Sequence, residues 1–524
     1  MPDKPRAESF DVVIAGSGFA GSLLALILRK QGRSVALVEK GRHPRFAIGE
    51  SATPVSNLLL EELARQWGLD RVLPLTKWGT WQRSYPELAV GLKRGFSFYH
   101  HRWGKPFGAL PDRSDQLLVA ASSRDEISDT NWYRPDLDQF LVHEAMAEGA
   151  DYRGEAELTS FEELPDRVRV GGSQGGSSFE IEARYFVDAT GPRGFLHRHL
   201  RLGELFLRFF QPTQGLFNHF RNVKRLGDME VLRAFPSPPY PVDDAALHHV
   251  FDGGWIWVLP FNNGITSAGV ACTDRVALEL NLAEGAPAWG RLMKKLPTVQ
   301  EQFASAEAVL PFFHAPRLPF RSAVAAGKRW VLLPHAAGFI DPIFSSGFPL
   351  TLLGLSRLAE AFQHDWDSPR MAESFLSYEH QTIAEADAAE RLDGALYASF
   401  RDFPLFVALS MLYFSAVTWT EAARRLEKPE LAASFLLSAD PKFAPGFRAI
   451  CEETIRLGKS GSPAEARTRV MQRIRELVEP FDVAGLLEPG RGNWFPVDDD
   501  ALRLARGKLG ATDREIEAML ARHG

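Results

Sequence analysis

Three glycines near the start of the chain have the spacing of a phosphate-binding turn. Gly16, Gly18 and Gly21 form a G-x-G-x-x-G pattern between an apolar run and a segment with helical apolar spacing. Glycines at such a turn let the backbone approach a pyrophosphate, which lies at the positive end of the helix. Glu39 ends the next apolar run, about twenty residues past the turn, where an acid can accept hydrogen bonds from ribose hydroxyls. The pattern predicts a dinucleotide site; the alternative is a glycine turn without a ligand.

Two later stretches also carry residue types suited to a binding site. In WIWVLP, Trp255 and Trp257 lie two residues apart, so that both indoles share one face of a strand, although such a face is often only core. The stretch from Ala336 to Gly347, AAGFIDPIFSSG, indicates a glycine-bounded turn before a helix. Backbone N–H groups at the start of a helix can bind an anion.

The elements that must position these residues follow from the apolar periodicity. The first unit is a strand at residues 11–15, a helix at 23–28 and a strand at 34–38. Further helices are predicted at 57–66, at 136–149 and over most of the chain past Leu350. Strands are predicted over 78–101, in a hairpin of 155–176 with 179–187, in a sheet over 216–271 and at 330–333. This interleaving predicts discontinuous domains.

Length and composition limit the class of protein. A chain of 524 residues exceeds the usual size of one core, so two or three subdomains are expected. Sixty basic and 66 acidic side chains give a net charge of −6, which offers no reason to expect nucleic acid or an anionic membrane as a partner. Two cysteines are too few for a disulfide framework or a thiolate metal site, so we expect no metal and a cytoplasmic location. The polar N-terminal residues 1–9 lack the apolar core of a signal peptide.

One long uncharged run lies at residues 403–419, FPLFVALSMLYFSAVTW. It is slightly shorter than a membrane-spanning helix requires and it contains a proline. A buried helix is therefore the preferred interpretation, and no membrane span is expected. The aromatic content leaves a third interpretation, in which the run forms the wall of an apolar substrate pocket.

Several motifs together resemble known flavoproteins. GSGFAG, PRFAIGES at 44–51, R-P-D-L-D at 134–138, DATGP at 188–192 and the late AAGFIDP are similar to the FAD-dependent monooxygenase superfamily. Within it, WIWVLP resembles the W-x-W-x-I-P motif of flavin-dependent halogenases, with Leu259 in place of isoleucine. Phe339, Pro342, Ser345 and Gly347 match the F-x-x-P-x-x-S-x-G motif of that family. The resemblance extends from about Phe10 to the mid-360s.

The resemblance implies an α/β fold with a glutathione-reductase-like FAD-binding domain, a β-sheet substrate layer and a helical C-terminal region. We assign the FAD-binding domain to residues 1–95, 134–200 and 325–380. The substrate-side sheet is assigned to 96–133 and 201–324, and the helical region to 381–524.

The resemblance also implies residues for the cofactor and the halide. It places Trp255 and Trp257 beside the flavin, where they are thought to disfavour ordinary oxygenation, and a halide on the amides of Ser346 and Gly347. The implied FAD-binding residues are Gly16, Gly18, Phe19, Ala20, Gly21, Glu39, Lys40, Arg45, Ile48, Gly49, Glu50, Ser51, Asp188, Gly191, Phe339, Asp341 and Pro342.

The halogenase resemblance implies that reduced FAD and O2 convert chloride or bromide into hypohalous acid, which a lysine directs onto an electron-rich ring. Lys93, in KRGFSF, matches the K-x-G-x-x-F pattern of the family strand, whereas Lys77, in TKWGTW, has the more usual distance from Glu50. We favour Lys93 and keep Lys77 as the alternative. No second G-x-G-x-x-G is found to bind NADPH, so a separate NAD(P)H-dependent flavin reductase is expected to supply reduced FAD.

Two departures from the family pattern bear on the substrate and the cofactor. Phe344 stands where tryptophan-specific members carry a glutamate, which indicates the branch that acts on phenols or pyrroles. Pro334 and His335 replace the usual G-D pair, so an aspartate that normally contacts the ribityl chain is missing. His335 is interpreted either as a donor to a phosphate or hydroxyl or as a satisfied loop residue. Other functions that stay open are an oxygenase or reductase of the superfamily and a flavin-binding protein without turnover.

Overall fold

The computed structural model describes residues 8–108, 110–233, 237–460 and 464–523. The strands in these residues are β1 (Glu8–Ala15), β2 (Val35–Val38), β3 (Val90–Lys93), β4 (Gly95–His100), β5 (Gln116–Ala120), β6 (Asp129–Trp132), β7 (Asp151–Arg153), β8 (Ala156–Glu163), β9 (Val168–Gln174), β10 (Ser177–Asp188), β11 (Thr213–Arg221), β12 (Ala246–Phe251), β13 (Gly254–Pro260), β14 (Thr266–Thr273), β15 (Glu307–Ala308), β16 (Phe313–Ala315), β17 (Phe320–Arg321), β18 (Trp330–Leu332), β19 (Gly338–Phe339) and β20 (Trp494–Phe495).

The α-helices in the same residues are α1 (Phe19–Lys30), α2 (Pro54–Gln66), α3 (Trp78–Ser84), α4 (Arg134–Ala147), α5 (Phe195–His199), α6 (Glu230–Arg233), α7 (Asp274–Glu279), α8 (Ala286–Lys295), α9 (Pro297–Gln302), α10 (Pro334–Ala337), α11 (Gly347–His364), α12 (Arg370–Ser399), α13 (Phe403–Arg425), α14 (Ala444–Ser460), α15 (Ala464–Val478), α16 (Asp499–Leu504) and α17 (Asp513–His523). Short 3-10 turns connect several of them.

The first sheet carries the glycine turn. Its strands lie in the order β7-β2-β1-β10-β9-β8, and β18 pairs with the end of β10. β7, β2, β1, β10 and β18 run parallel, whereas β8, β9 and the start of β10 form antiparallel pairs. β2 and the second half of β1 are apolar and fully buried, as expected of parallel strands covered on both faces. The predicted first unit and the strand near 330 are confirmed. The predicted hairpin is confirmed by β9 and β10, but residues 155–176 form two strands, β8 and β9, where one arm was predicted.

The parallel strands of this sheet end at one edge, where several predicted site residues follow them. Gly16 comes directly after β1, Glu39 directly after β2, Asp188 is the last residue of β10, and Pro334 begins α10 shortly after β18. In open α/β sheets the ligand crevice lies outside the carboxyl ends of the strands. This edge is therefore the place for a dinucleotide.

The second sheet is mostly antiparallel and has the strand order β15-β11-β14-β13-β12-β4-β5-β20, with β16 pairing with β11. It confirms the sheet predicted over 216–271, and its strand β13 carries both tryptophans of WIWVLP. β20 pairs with β5, so the C-terminal region contributes a strand to this sheet. Beside it, β3 and β6 form a two-stranded sheet in which Lys93 lies directly opposite Asp129.

The strand prediction for 78–101 is wrong in its first part, because residues 78–84 form helix α3. Strand structure begins only at Val90. Aromatic and β-branched residues fit a half-buried surface of either kind, so their number did not fix the element. Trp78 and Trp81 are three residues apart and share a helix face; Trp81 is fully buried, and its indole N–H donates to the Leu88 carbonyl at 3.2 Å.

The long apolar run forms α13, which is a core helix. Within the described residues it is the one helix long and apolar enough to cross a membrane, and 83% of that stretch is buried inside the fold. It contacts α2, α12 and α15. The preferred interpretation as a buried helix is thus supported, and the helical prediction past Leu350 is confirmed by α11 to α17.

Candidate active site

The glycine turn contains one glycine that protein packing does not explain. Gly16 has a φ of +95°, and a Cβ there would lie 2.6 Å from a carbonyl oxygen; a Cβ at Gly21 would lie 2.0 Å from the Gly16 oxygen. These two glycines are required by the turn itself. Gly18 has an ordinary φ of −65°, and its Cβ would lie 3.4 Å from the Arg134 guanidinium and 3.6 Å from that of Arg45. A Cβ at Gly18 would make only ordinary van der Waals contacts, so protein packing does not require a glycine there and the space in front of it is available to a ligand.

Two guanidinium groups border this space, together with one carboxylate oxygen, Asp138 Oδ2, which lies 3.8 Å from the Cβ position of Gly18. Arg45 Nη2 lies 3.2 Å from Glu39 Oε2, and the Arg45 Nε is buried without a hydrogen-bond partner. Arg134 binds the Asp138 carboxylate through two hydrogen bonds of 2.7 and 2.8 Å and donates to a backbone carbonyl at 2.9 Å. Guanidinium groups beside a helix N-terminus suit a phosphate. The residues present therefore fit the pyrophosphate of FAD.

Glu39 is held against the same turn. Its Oε2 accepts hydrogen bonds from the Ser17 amide at 3.0 Å and the Ser17 hydroxyl at 3.1 Å, and its Oε1 accepts from the Gly41 amide at 2.8 Å. Burial alone would raise the pKa of Glu39, but the Arg45 charge and these donors outweigh burial and lower that pKa. Glu39 is thus an ionised acceptor at the end of β2.

A cavity of about 80 Å³, here called the tryptophan cavity, brings together residues from distant parts of the chain. Segments after β2, on β12 and β13, and around the start of α11 form its walls. Its lining residues are Ile48, Gly49, Glu50, Ser51, Ala246, His248, Trp255, Trp257, Leu259, Phe339, Pro342, Ser345, Gly347 and Phe348. Both halogenase-like motifs and the PRFAIGES stretch thus meet in one place.

The two tryptophans of this cavity are fixed by hydrogen bonds. Trp255 Nε1 donates to Asp341 Oδ1 at 3.0 Å, and Trp257 Nε1 donates to Ser267 Oγ at 3.2 Å. The Tyr397 hydroxyl donates to the other Asp341 oxygen at 2.7 Å. Burial raises the pKa of Asp341 to about 7. With ring centroids 5.7 Å apart, the indoles form a rigid aromatic wall.

The FSSG turn contributes Ser345 and Gly347 to the wall of the same cavity, whereas Ser346 and Gly347 line a neighbouring cavity of about 40 Å³. Ser345 adopts a left-handed φ of +55°, and its amide donates to the Pro342 carbonyl at 2.9 Å. α11 then begins at Gly347, with Ser346 as its N-cap. Apart from its two chain neighbours and the backbone of its own helix, no heavy atom of the described residues lies within 4 Å of a Cβ built on Gly347. The first amides of α11 have no intrahelical acceptor, as is general at a helix start, and such amides can bind an anion.

Lys93 lies in the wall behind the tryptophan cavity and is fully buried. Its ammonium donates to the Ser51 hydroxyl at 2.8 Å and to the Ala52 carbonyl at 2.6 Å, and it lies 3.9 Å from the centroid of the Phe96 ring. Burial lowers the pKa of Lys93 to about 7, although the Asp129 charge acts to raise it. Lys93 is therefore an ammonium group that titrates near neutral pH.

A second cavity of about 220 Å³, here called the aromatic cavity, lies on the Phe96 side of this wall. α13 lines one side of it, as the third interpretation of the apolar run requires, and binding of a substrate there stays a prediction. Its lining residues include Pro54, Lys77, Phe96, Val119, Tyr413, Phe414, Val417, Thr418, Glu421, Arg425, Leu486, Phe495, Leu502 and Met519. The two candidate lysines thus occupy different places: Lys77 lines the aromatic cavity, and Lys93 lies between the two cavities.

Phe344 is buried in an aromatic cluster next to both cavities. Its ring stacks on Tyr413 at 4.2 Å between centroids, and the Tyr413 hydroxyl donates to the Phe344 carbonyl at 2.8 Å. Edge contacts join it to Phe96, Phe98 and Phe414. A glutamate at this position would place an unpaired carboxylate among aromatic rings, which is unfavourable, whereas phenylalanine packs there without such a cost.

A larger cavity of about 920 Å³ lies elsewhere, between the segment from Glu204 to Pro212 and α12. None of the predicted site residues lines it. We therefore do not choose the site by cavity size. The tryptophan cavity is the candidate active site because both halogenase-like motifs line it.

Comparisons with protein families agree with this geometry. The family model described as FAD binding domain matches residues 9–205, and the model described as tryptophan halogenase matches residues 133–397. The halogenase PrnC of Pseudomonas fluorescens, which acts on monodechloroaminopyrrolnitrin, is 30% identical over 78% of this chain and 71% of its own length. The chain belongs to the flavin-dependent halogenase family. FAD as cofactor and the predicted fold are confirmed.

Further similarities extend over nearly the whole halogenase chain. The tetracycline 7-halogenase of Kitasatospora aureofaciens is 28% identical over 539 residues, which cover 98% of this chain and 95% of that protein. The crystal structure of halogenase PltM in complex with phloroglucinol and FAD superposes with a TM-score of 0.81 at 26% identity, over 91% of this chain and 98% of that one.

Some implied cofactor residues of this halogenase already have protein partners. Lys40 is exposed and pairs with Glu157 at 2.7 Å. The Asp188 carboxylate is buried and accepts hydrogen bonds from Thr190 and from the Leu196 amide at 2.6 Å. Asp188 thus shapes the turn after β10, and Asp341 holds the tryptophans. Their roles as cofactor ligands stay predictions.

Sequence reasoning missed three residues at the site. Arg134 belongs to the quoted R-P-D-L-D motif, so its signal was present, yet its place beside Gly18 follows only from the fold. Asp129 faces Lys93 across two strands. His248 lines the tryptophan cavity and stacks on Phe98 at 4.3 Å, and burial with the nearby Lys93 lowers its pKa to about 3. No sequence motif indicates Asp129 or His248 as a site residue.

His335, which replaces the usual aspartate, lies beside the glycine turn. Its Nε2 is 3.1 Å from the Ala189 carbonyl and donates to it, and burial lowers the pKa of His335 to about 4. Its Nδ1 is buried without a partner. The ring is therefore neutral, with one satisfied nitrogen and one nitrogen that can accept a hydrogen bond.

Proposed function

We propose that this halogenase uses reduced FAD, O2 and chloride or bromide to halogenate a small electron-rich aromatic compound, phenol- or pyrrole-like. Bound reduced FAD supplies two electrons to O2, so that one oxygen atom leaves as water and the other joins the halide as hypohalous acid. Because one dinucleotide turn was found, a separate NAD(P)H-dependent flavin reductase is the proposed source of reduced FAD.

Three groups of residues at and near the tryptophan cavity are proposed to have separate roles. The arginines beside Gly18 and the ionised Glu39 bind the dinucleotide at the sheet edge. The amides of Ser346 and Gly347 hold the halide at the start of α11. Trp255 and Trp257 close the cavity with apolar surface and exclude water from the oxidising chemistry.

Lys93 is the proposed catalytic lysine. The observation that carries this proposal is its position: the ammonium bonds to Ser51, which lines the tryptophan cavity, and lies over Phe96, which lines the aromatic cavity. A group at this point can take hypohalous acid from one side and present it to a ring on the other. Positioning of this kind contributes several kcal/mol to a barrier.

A direct experiment supplies the purified protein with chemically reduced FAD, O2, bromide and a panel of phenols and pyrroles. We expect a mass gain that corresponds to replacement of hydrogen by bromine and that disappears without bromide. A control without protein corrects for reaction of free hypobromous acid. Incorporation of oxygen in the absence of halide would favour an oxygenase instead.

A further inference from the structure

The aromatic cavity has a cationic side that the halide chemistry does not use. Lys77 lines it, and no carboxylate of the described residues lies within 4.0 Å of the Lys77 ammonium. Its side chain makes no capping hydrogen bond at the start of α3. Burial lowers the pKa of Lys77, as expected of an ammonium that lacks a close anionic partner.

Arg425 provides a second unused donor on the same side. Its Nε binds Glu421 Oε1 at 2.9 Å, one turn earlier on α13, and its Nη2 lies at the same distance from that oxygen. The remaining nitrogen, Nη1, is buried without a hydrogen-bond partner. A buried guanidinium N–H without an acceptor is costly unless a ligand supplies one.

Of the three acidic groups that line the cavity, Glu421 and Asp498 have partners of their own. Glu421 is paired with Arg425. Asp498 caps α16 by accepting from the Ala501 amide at 2.8 Å, and it also pairs with Arg491. Asp499 is exposed in the first turn of α16, where the helix N-terminus favours a carboxylate. Among the described residues Lys77 therefore has no ion-pair partner of its own, although the charges of Glu61 and Glu421, which pair with arginines, also act on it from beyond 4.0 Å.

We propose that the aromatic cavity binds an acceptor ring bearing an ionised acidic oxygen, a carboxylate or a phenolate, with Lys77 and Arg425 Nη1 as its donors. This assignment rests on the proposed function, because it concerns the substrate of the same site. Phe96 and Tyr413 supply the ring contacts. The volume of about 220 Å³ lies below the roughly 300–1,000 Å³ of drug-sized ligand sites, so the acceptor is small.

Calorimetric titration without reduced flavin or halide tests this proposal. The probes are a hydroxybenzoate, its methyl ester and its O-methyl ether, and the proteins are the parent, Lys77→Met, Lys77→Arg and Lys294→Met. Lys294 is an exposed lysine outside the cavity and serves as the matched control. We expect hydroxybenzoate to bind Lys77→Met about tenfold or more weakly than the parent, because a charge-assisted hydrogen bond is lost. Lys77→Arg, which keeps the charge, retains binding even if Lys77→Met folds poorly.

The two derivatives identify the recognised oxygen. Loss of parent binding by the ester assigns the carboxylate, and loss by the ether assigns the phenolate. Equal binding of all three probes to the parent, or unchanged hydroxybenzoate binding in a folded Lys77→Met, would overturn the proposal. A parent that binds hydroxybenzoate through Lys77 yet never halogenates a ring would contradict the proposed function and leave this binding site intact.

Discussion

The glycine turn and the wall around Lys93 handle charge in opposite ways. At the turn, the arginines have carboxylate partners, Glu39 is ionised, and room is left for an anion. At the wall, Lys93 and Asp129 are both buried, and no hydrogen bond joins them among the described contacts. Burial raises the pKa of Asp129 to about 7 and lowers that of Lys93 to about 7. The first region is suited to hold a charged cofactor, and the second to keep a reactive ammonium near its titration point.

A large effect on FAD affinity is expected at the glycine turn. Gly18→Val fills the space in front of the turn, where we propose that the pyrophosphate approaches, while the valine Cβ makes only ordinary contacts with the protein. An overpacking cost of about 1–3 kcal/mol predicts FAD binding that is roughly ten- to hundredfold weaker, with little change in thermal stability. Flavin fluorescence titration and thermal unfolding measure the two quantities.

Gly21→Ala is the matched control, because its Cβ would lie 2.0 Å from a backbone oxygen. This variant should lose stability first, and FAD affinity only as a consequence. A folded Gly18→Val protein with unchanged FAD affinity would show that the open space is not the pyrophosphate site.

The wall around Lys93 predicts a pH dependence that the glycine turn does not. Above the pKa of Lys93, its charged fraction falls about tenfold per pH unit. Lys93 carries its charge below its pKa of about 7 and loses it as the pH rises. Ring halogenation per hypohalous acid formed should therefore fall above that pH. Asp129→Asn removes the negative neighbour that raises the pKa of Lys93, so the fall should move to lower pH.

The matched control for this shift is Asp115→Asn. Burial raises the pKa of Asp115 to about 6, but this carboxyl lines neither cavity. Its removal should leave the pH profile of ring halogenation in place. An identical pH profile in the parent and in Asp129→Asn would show that Asp129 does not control the pKa of Lys93.

A smaller effect separates the two tryptophans. Trp255 donates to a carboxylate and Trp257 to a hydroxyl, so at a pH where Asp341 is ionised Trp255→Phe should lower the free energy of unfolding by about 1.5–3 kcal/mol and Trp257→Phe by about 0.5–1.5 kcal/mol. Urea unfolding of both variants checks this order. Equal losses of unfolding free energy in the two variants would mean that the hydrogen bond from Trp255 to Asp341 is no stronger than that from Trp257 to Ser267.

Sequence-based prediction of the site was most accurate for residues that are close together in the chain. The turn, α1 and Glu39 lie within one strand-helix-strand unit, and local spacing was enough to identify them. Residues 78–84 were assigned to a strand because aromatic content does not separate a strand from a short helix. A local motif favoured Lys93 over Lys77, but their different places needed the fold: Lys93 lies over the Phe96 ring, and Lys77 lines a cavity whose walls include residues from Pro54 to Leu520. Contacts between residues so far apart in the chain leave no local pattern.

The most direct measurement of the central claim is the yield of ring halogenation by Lys93→Met, with reduced FAD supplied chemically and a soluble halogen trap present. Methionine keeps the apolar length of the buried side chain and removes the ammonium. The account predicts FAD binding and trapped hypohalous acid at parental levels, with ring product reduced about a hundredfold or more because positioning is lost. Full ring halogenation by Lys93→Met, or its loss in Lys77→Met for neutral as well as acidic rings, would contradict the assignment of Lys93.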